Sequence, residues 1–131
     1  MKKILVINTK YREYGGEDSN ILEELKFLKQ YYKVEYLEYD NSEPLNISDI
    51  LSFLFKLNIK SNLKLRKKLK KFNPDIVYIH NTWFKINLGI FDILKKKKVK
   101  VILKIHNFRY ECGRHFFSKN HLVGKLRCDA C

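Results

Sequence analysis

Residues 3–8, Lys3-Ile4-Leu5-Val6-Ile7-Asn8, decide the fold. The run is short, apolar and rich in β-branched side chains. Both of its faces call for burial, which is the habit of a central strand in a parallel sheet. Gly15-Gly16 then breaks the chain. Beyond it, Ile21, Leu25, Leu28 and Tyr32 recur at i, i+4, i+7 and i+11, one stripe of a 3.6-residue period. Glu17 and Asp18 fall in the first turn of this helix, where carboxylates suit the positive end of its dipole.

The same alternation continues outward. Val34 to Tyr39 reads as a second strand, ended by the turn residues Asn41-Ser42-Glu43-Pro44. Two helical stretches follow. In the first, Ile47, Ile50, Leu51 and Leu54 share a face behind a cap at Asn46 or Ser48. In the second, from about Lys60 to Phe72, Leu65, Leu69 and Phe72 share a face among Lys and Arg, and Asn73-Pro74 stops it. Asp75 to Ile79 is another buried-strand run. Ile86, Ile90, Ile93 and Leu94 suggest a helix closing on Lys95 to Lys98, and Val99 to Ile105 is a fourth strand. After Asn107 the regular pattern is lost.

Strand, helix, strand, two helices, strand, helix, strand predicts an open α/β, Rossmann-like sheet, mostly parallel and flanked by helices. The expected order is 2-1-3-4, with right-handed crossovers and a switch point between strands 1 and 3. Ligands of such sheets bind beyond the carboxyl ends of the strands. Three segments lie there: Thr9 to Asp18, His80 to Phe84, and His106 to Tyr110.

Composition agrees with one packed domain. The chain has 131 residues, 45% of them apolar and 14% aromatic, so a core is feasible and wholesale disorder is excluded. No apolar run reaches the length of a bilayer span, and no signal peptide is visible, so a soluble, cytoplasmic protein is expected. The net charge of +13 is uneven: residues 1–43 carry −2 and residues 44–131 carry +15. A basic half attracts anions such as phosphate or acidic lipid. The basic stretches Lys56 to Lys71 and Lys95 to Lys100 are read as solvated faces, or as interfacial helices on anionic lipid. Nucleic acid is disfavoured, because aromatics such as Phe72 fall on the buried face instead of forming stacking platforms.

Each candidate for chemistry has a plainer alternative. Gly15-Gly16 lets the backbone approach a ligand, or makes an ordinary turn. Gly-x-Gly-x-x-Gly is absent, which weakens a nicotinamide reading despite Asp40, placed where a ribose-binding acid would lie. His80-Asn81 and His106-Asn107, the latter followed by Phe108-Arg109, each come immediately after a buried strand. Imidazoles, amides and a guanidinium there are donors for hydroxyls or phosphates. Cys128-x-x-Cys131 has zinc-ligand spacing, with Cys112, His115 and His121 nearby. The other reading is a set of reduced thiols. It is preferred because a site on Cys131 would be built from a chain end, so no metal is expected.

Tyr14-Gly15-Gly16-Glu17-Asp18, Asn73 to Thr82 (NPDIVYIHNT) and Ile105-His106-Asn107-Phe108-Arg109 with Cys112 downstream together resemble the N-terminal domain of family-4 glycosyltransferases. The resemblance spans essentially the whole chain. It implies half of the two-domain GT-B architecture, with residues 1–131 a single, incomplete, acceptor-side domain. It also implies transfer of a sugar from a nucleotide-sugar donor to a glycan or lipid-linked acceptor, with no cofactor. Carried over, Gly15 and Gly16 lie near the donor phosphates, and His80, Asn81, Asn107 and Arg109 line the substrate side. His106 matches the strand-end histidine that contacts the transferred sugar. The family's C-terminal domain, with its nucleotide pocket, has no counterpart here, so the chain alone is expected to be inactive. A peripheral position at the inner face of the plasma membrane suits its basic helices. The competing expectation is a non-catalytic α/β module that binds a phosphorylated ligand or an anionic surface.

Overall fold

In a computed structural model of the chain, described over residues 1–10, 16–41, 47, 50–51, 58–82 and 85–105, four strands form one parallel sheet. They are β1 (Lys3–Lys10), β2 (Lys33–Asp40), β3 (Ile76–Ile79) and β4 (Lys100–Leu103). Their order is β2-β1-β3-β4, as the alternation of elements predicts. Strand β1 pairs in parallel with β2 from Lys3↔Lys33 to Lys10↔Asp40, and with β3 from Ile4↔Ile76 to Ile7↔Ile79. Strand β4 pairs with β3 from Ile76↔Lys100 to Ile79↔Leu103.

Among the described residues three continuous helices join the strands: α1 (Gly16–Tyr31), α2 (Ile59–Phe72) and α3 (Gly89–Lys97). Side chains of a strand alternate between its faces, so β1 feeds two cores at once. Leu5 and Ile7 point to one side, where they join Leu65, Leu69 and Phe72 of α2 and Ile90, Ile93 and Leu94 of α3. Ile4 and Val6 point to the other, under Ile21 and Leu25 of α1. Continuous burial along β1 follows from having helices on both sides.

The helix ends carry the stop signals the sequence contains. The Asn58 Oδ1 accepts the Ser61 N–H at 3.1 Å, which satisfies one of the unpaired amides at the start of α2. At its end Asn73 turns left-handed, with φ 47°, and donates its N–H to the Leu69 carbonyl at 2.9 Å before Pro74 forbids continuation. Helix α3 closes similarly on Lys98, with φ 53°, after Lys95, Lys96 and Lys97 in its last turn.

Three expectations shift. Ile47, Ile50 and Leu51 are helical but 77%, 46% and 48% exposed, so their shared face is not part of the core; Leu54 lies outside the described residues. Ile86 is fully buried yet precedes α3, because Gly89 begins the helix. Strand β4 is shorter than its apolar run, and Ile102 is 51% exposed. Among the described residues the layer under α1 draws on β1, β2 and β3 and not on this edge strand.

Truncating Leu65, which has no exposed surface, to alanine is expected to cost about 2–5 kcal/mol in chemical denaturation. Truncating Leu63, two positions away and 53% exposed, should cost less than about 0.5 kcal/mol. Equal losses would contradict this assignment of the α2 face.

Candidate functional site

All four strands run the same way, so their carboxyl ends share one rim. The β1–β3 ladder extends one residue past β3, where the His80 N–H donates to the Ile7 carbonyl at 2.9 Å. The Thr9 Oγ1 donates to the Asn81 carbonyl at 3.4 Å. The exit of β1 and the first His-Asn pair are therefore in contact. The Lys104 N–H donates to the Ile79 carbonyl at 2.8 Å, which brings the end of β4 to the same rim. Gly16 opens α1, the helix entered from that edge. Gly15, His106, Asn107 and Arg109 lie outside the described residues, as do Cys112, His115, His121, Cys128 and Cys131. Among the described residues no cluster of His, Cys, Asp or Glu is arranged to hold a metal.

His80 and Asn81 are 3% and 8% exposed. His80 shares the α1 side with Tyr78, two residues earlier; the two rings lie 4.5 Å apart, tilted by 55°. The His80 Nε2 is 3.3 Å from the Glu24 Oε2 of α1. The same carboxylate accepts the Tyr78 hydroxyl at 3.0 Å and pairs with the Lys104 ammonium. The four groups come from α1, β3 and the end of β4. A second polar chain lies on this side: the Asn8 amide donates to the Tyr36 hydroxyl at 3.4 Å, which donates to Glu38 at 2.7 Å.

This setting perturbs the titrations. Burial alone would raise the Glu24 carboxyl, but hydrogen bonds from Lys104 and Tyr78, with the charges of His80 and Lys104, hold it below its ordinary value. Burial pushes the Tyr78 phenol up to about 12, helped by its hydrogen bond to Glu24 and that carboxylate's charge. The Tyr39 phenol is raised by burial.

The other side of the rim is basic. A cleft of about 370 Å³ beyond β2 is lined by Tyr39, Asp40, Lys60, Ser61, Lys64 and Lys85. Sequence reading passed over Glu24 and Lys85, and took Lys60 and Lys64 only as part of the basic stretch Lys56 to Lys71. For Glu24 the only local signal is its place three residues after Ile21, on the flank of the buried stripe. For Lys60 and Lys64 it is the i, i+4 spacing at the start of α2.

No family model matches the chain, and no curated protein is similar to it in sequence. Two solved structures share its fold. The C-terminal domain of a hydrogenase from Pyrococcus furiosus superposes with a TM-score of 0.54 at 17% identity, over 79% of this chain and 91% of that one. A complex of MnaA from S. aureus with UDP gives a TM-score of 0.51 at 19% identity, over 79% of this chain. The match spans only 29% of MnaA.

Because the folded-state titration of Glu24 is lowered, its contribution to stability is present above the ordinary carboxylate range and fades as pH falls through it. Glu24→Gln should therefore be less stable than the parent at pH 7, by roughly 1 kcal/mol or less for a partly exposed pair. The gap should narrow as pH falls through and below the ordinary carboxylate range. Urea titrations at neutral and acid pH check this, and a gap unchanged by acid would show that the ion pairs contribute nothing.

Proposed function

We propose that the chain is the acceptor-side, Rossmann-like portion of a glycosyltransferase, moving a sugar from a nucleotide-sugar donor to a glycan or lipid-linked acceptor. One observation carries the reading: the exit of β1 and the His80-Asn81 pair touch at the carboxyl rim, through Thr9 and the Asn81 carbonyl. Strands β1 and β3 flank the switch point of the 2-1-3-4 order, the place where open α/β sheets take ligands. The likeness to MnaA, captured with UDP, adds a neighbour that holds the kind of nucleotide a sugar donor carries.

In this reading the diglycine turn at Gly15 and Gly16 approaches the donor phosphates. His80 and Asn81 line the acceptor side, Asn107 and Arg109 bind substrate, and His106 meets the transferred sugar. An imidazole there steadies the charge that develops as the diphosphate departs. Helix α2 exposes Lys60, Lys64, Arg66, Lys67, Lys70 and Lys71, a face suited to a peripheral position on an anionic membrane. No helix among the described residues is long and apolar enough to cross one.

The donor nucleotide belongs, on this reading, to a second domain. The 131 residues alone should turn over no nucleotide-sugar, and hydrolysis or transfer at enzyme-like rates would refute the division of labour. Glycan or lipid-linked acceptors titrated into isotope-labelled chain should shift the amides of Thr9, Asn81 and Lys104, and Asn81→Ala should weaken that binding about tenfold. Shifts confined to the amino edge, around Lys3 and Asp75, would sink the proposal.

A further inference from the structure

We propose that the cleft beyond β2 binds the phosphate group of a small phosphorylated ligand through Lys60, Lys64 and Lys85. The site goes beyond the sugar-transfer reading, since none of these residues belongs to the diglycine turn or the His-Asn pairs.

Lys60 and Lys64, one turn apart on α2, and Lys85, from the segment before α3, line one concavity of about 370 Å³, a size within the range of small-molecule sites. Buried polar groups hold that convergence in place. Asn58, 5% exposed, caps α2 and also donates through its amide to the Lys85 carbonyl at 2.8 Å. Asn41, 6% exposed, accepts the Lys85 N–H at 3.2 Å. The backbone of Lys85 is thus fixed from both sides, to the end of β2 and to the start of α2. The Tyr39 hydroxyl ties β2 to α2 again, donating to the Ser61 carbonyl at 3.1 Å.

Lys64 is steered rather than loose. Its ammonium donates to the Glu38 carbonyl at 2.8 Å and sits 4.8 Å from the centre of the Tyr39 ring. An ammonium has three N–H donors, so two remain for a ligand. Among the described residues the lining holds three lysines and one carboxylate, Asp40, and α2 has no acidic residue in its first turn. A phosphate monoester, with close to two negative charges and three acceptor oxygens, matches three separately placed ammonium groups better than a carboxylate does. A nucleic-acid strand fits poorly, because Tyr39 is 4% exposed and offers no face on which a base could stack.

The test uses the isotope-labelled 131-residue chain, titrated with inorganic phosphate and with a hexose 1-phosphate. Saturable shifts are expected at the amides of Ser61, Lys64 and Lys85. Lys60→Gln and Lys85→Gln should each weaken binding about tenfold with amide dispersion intact. Lys2→Gln with Lys33→Gln, at the opposite edge, should leave it unchanged. Absence of saturable shifts with both probes would overturn the proposal, as would equal binding by the cleft variants. Binding only to phosphatidylglycerol vesicles would overturn it too, since the phosphate would then come from a lipid surface. The sugar-transfer reading is tested at Asn81 instead, so either can fail while the other stands.

Discussion

β1 has a parallel neighbour on each side, and that double pairing creates the rim. A strand in this position cannot leave a backbone N–H or C=O without a partner, nor show either face to water. Its sequence must therefore be apolar on both faces, and its neighbours must be joined through helices packed above and below. Leu5 and Ile7 answer the first demand on one side, Ile4 and Val6 on the other. Once three strands share a direction, their exits gather at one edge. The chemistry-bearing residues that follow each strand are brought together by pairing alone, across 72 positions of sequence between Thr9 and Asn81.

The two sides of the sheet end differently, and the difference has a physical cause. Helices α2 and α3 both pack on one side, over Leu5, Ile7, Leu37, Val77 and Ile79, with Thr9 and Tyr39 at the strand ends. Among the described residues helix α1 alone serves the other, where polar side chains take over from Val6 outward: Tyr36 and Tyr78 beside it, then Asn8 and His80. A histidine only 3% exposed needs polar company. Glu24 supplies it, and Lys104 with the Tyr78 hydroxyl balances Glu24 in turn. The cluster ties α1 to the ends of β3 and β4.

Periodic features of the sequence translate directly into structure. The stripe Leu65, Leu69 and Phe72, the Asn73-Pro74 stop and the run at residues 3–8 each state a local preference that tertiary packing reinforces. The reading weakens where only tertiary context decides. Ile86 has the spacing of a helix face but reaches the core from the loop before α3. Ile102 has the composition of a central strand but lies on β4, an edge strand among the described residues, and is half exposed. The Glu24 cluster joins residues 54 and 80 positions apart, and no periodicity encodes such a contact. The lysine cleft is obscured for another reason. Lysines are so frequent along α2 that the sequence does not mark the two that sit beside the end of β2.

The fold itself does not choose among chemistries: a hydrogenase domain and a protein bound to UDP share it. The choice lies in how polar residues at the rim are divided between two duties. Asn41 and Asn58 are buried, and their bonds hold the Lys85 backbone in place. The lysines beside them contribute charge where the chain leaves a concavity rather than a packed wall. Buried amides that hold a loop, with cations placed by that loop around an open space, cost side-chain entropy and bring like charges together. A negatively charged ligand offsets that cost, because it relieves the repulsion at the moment it binds.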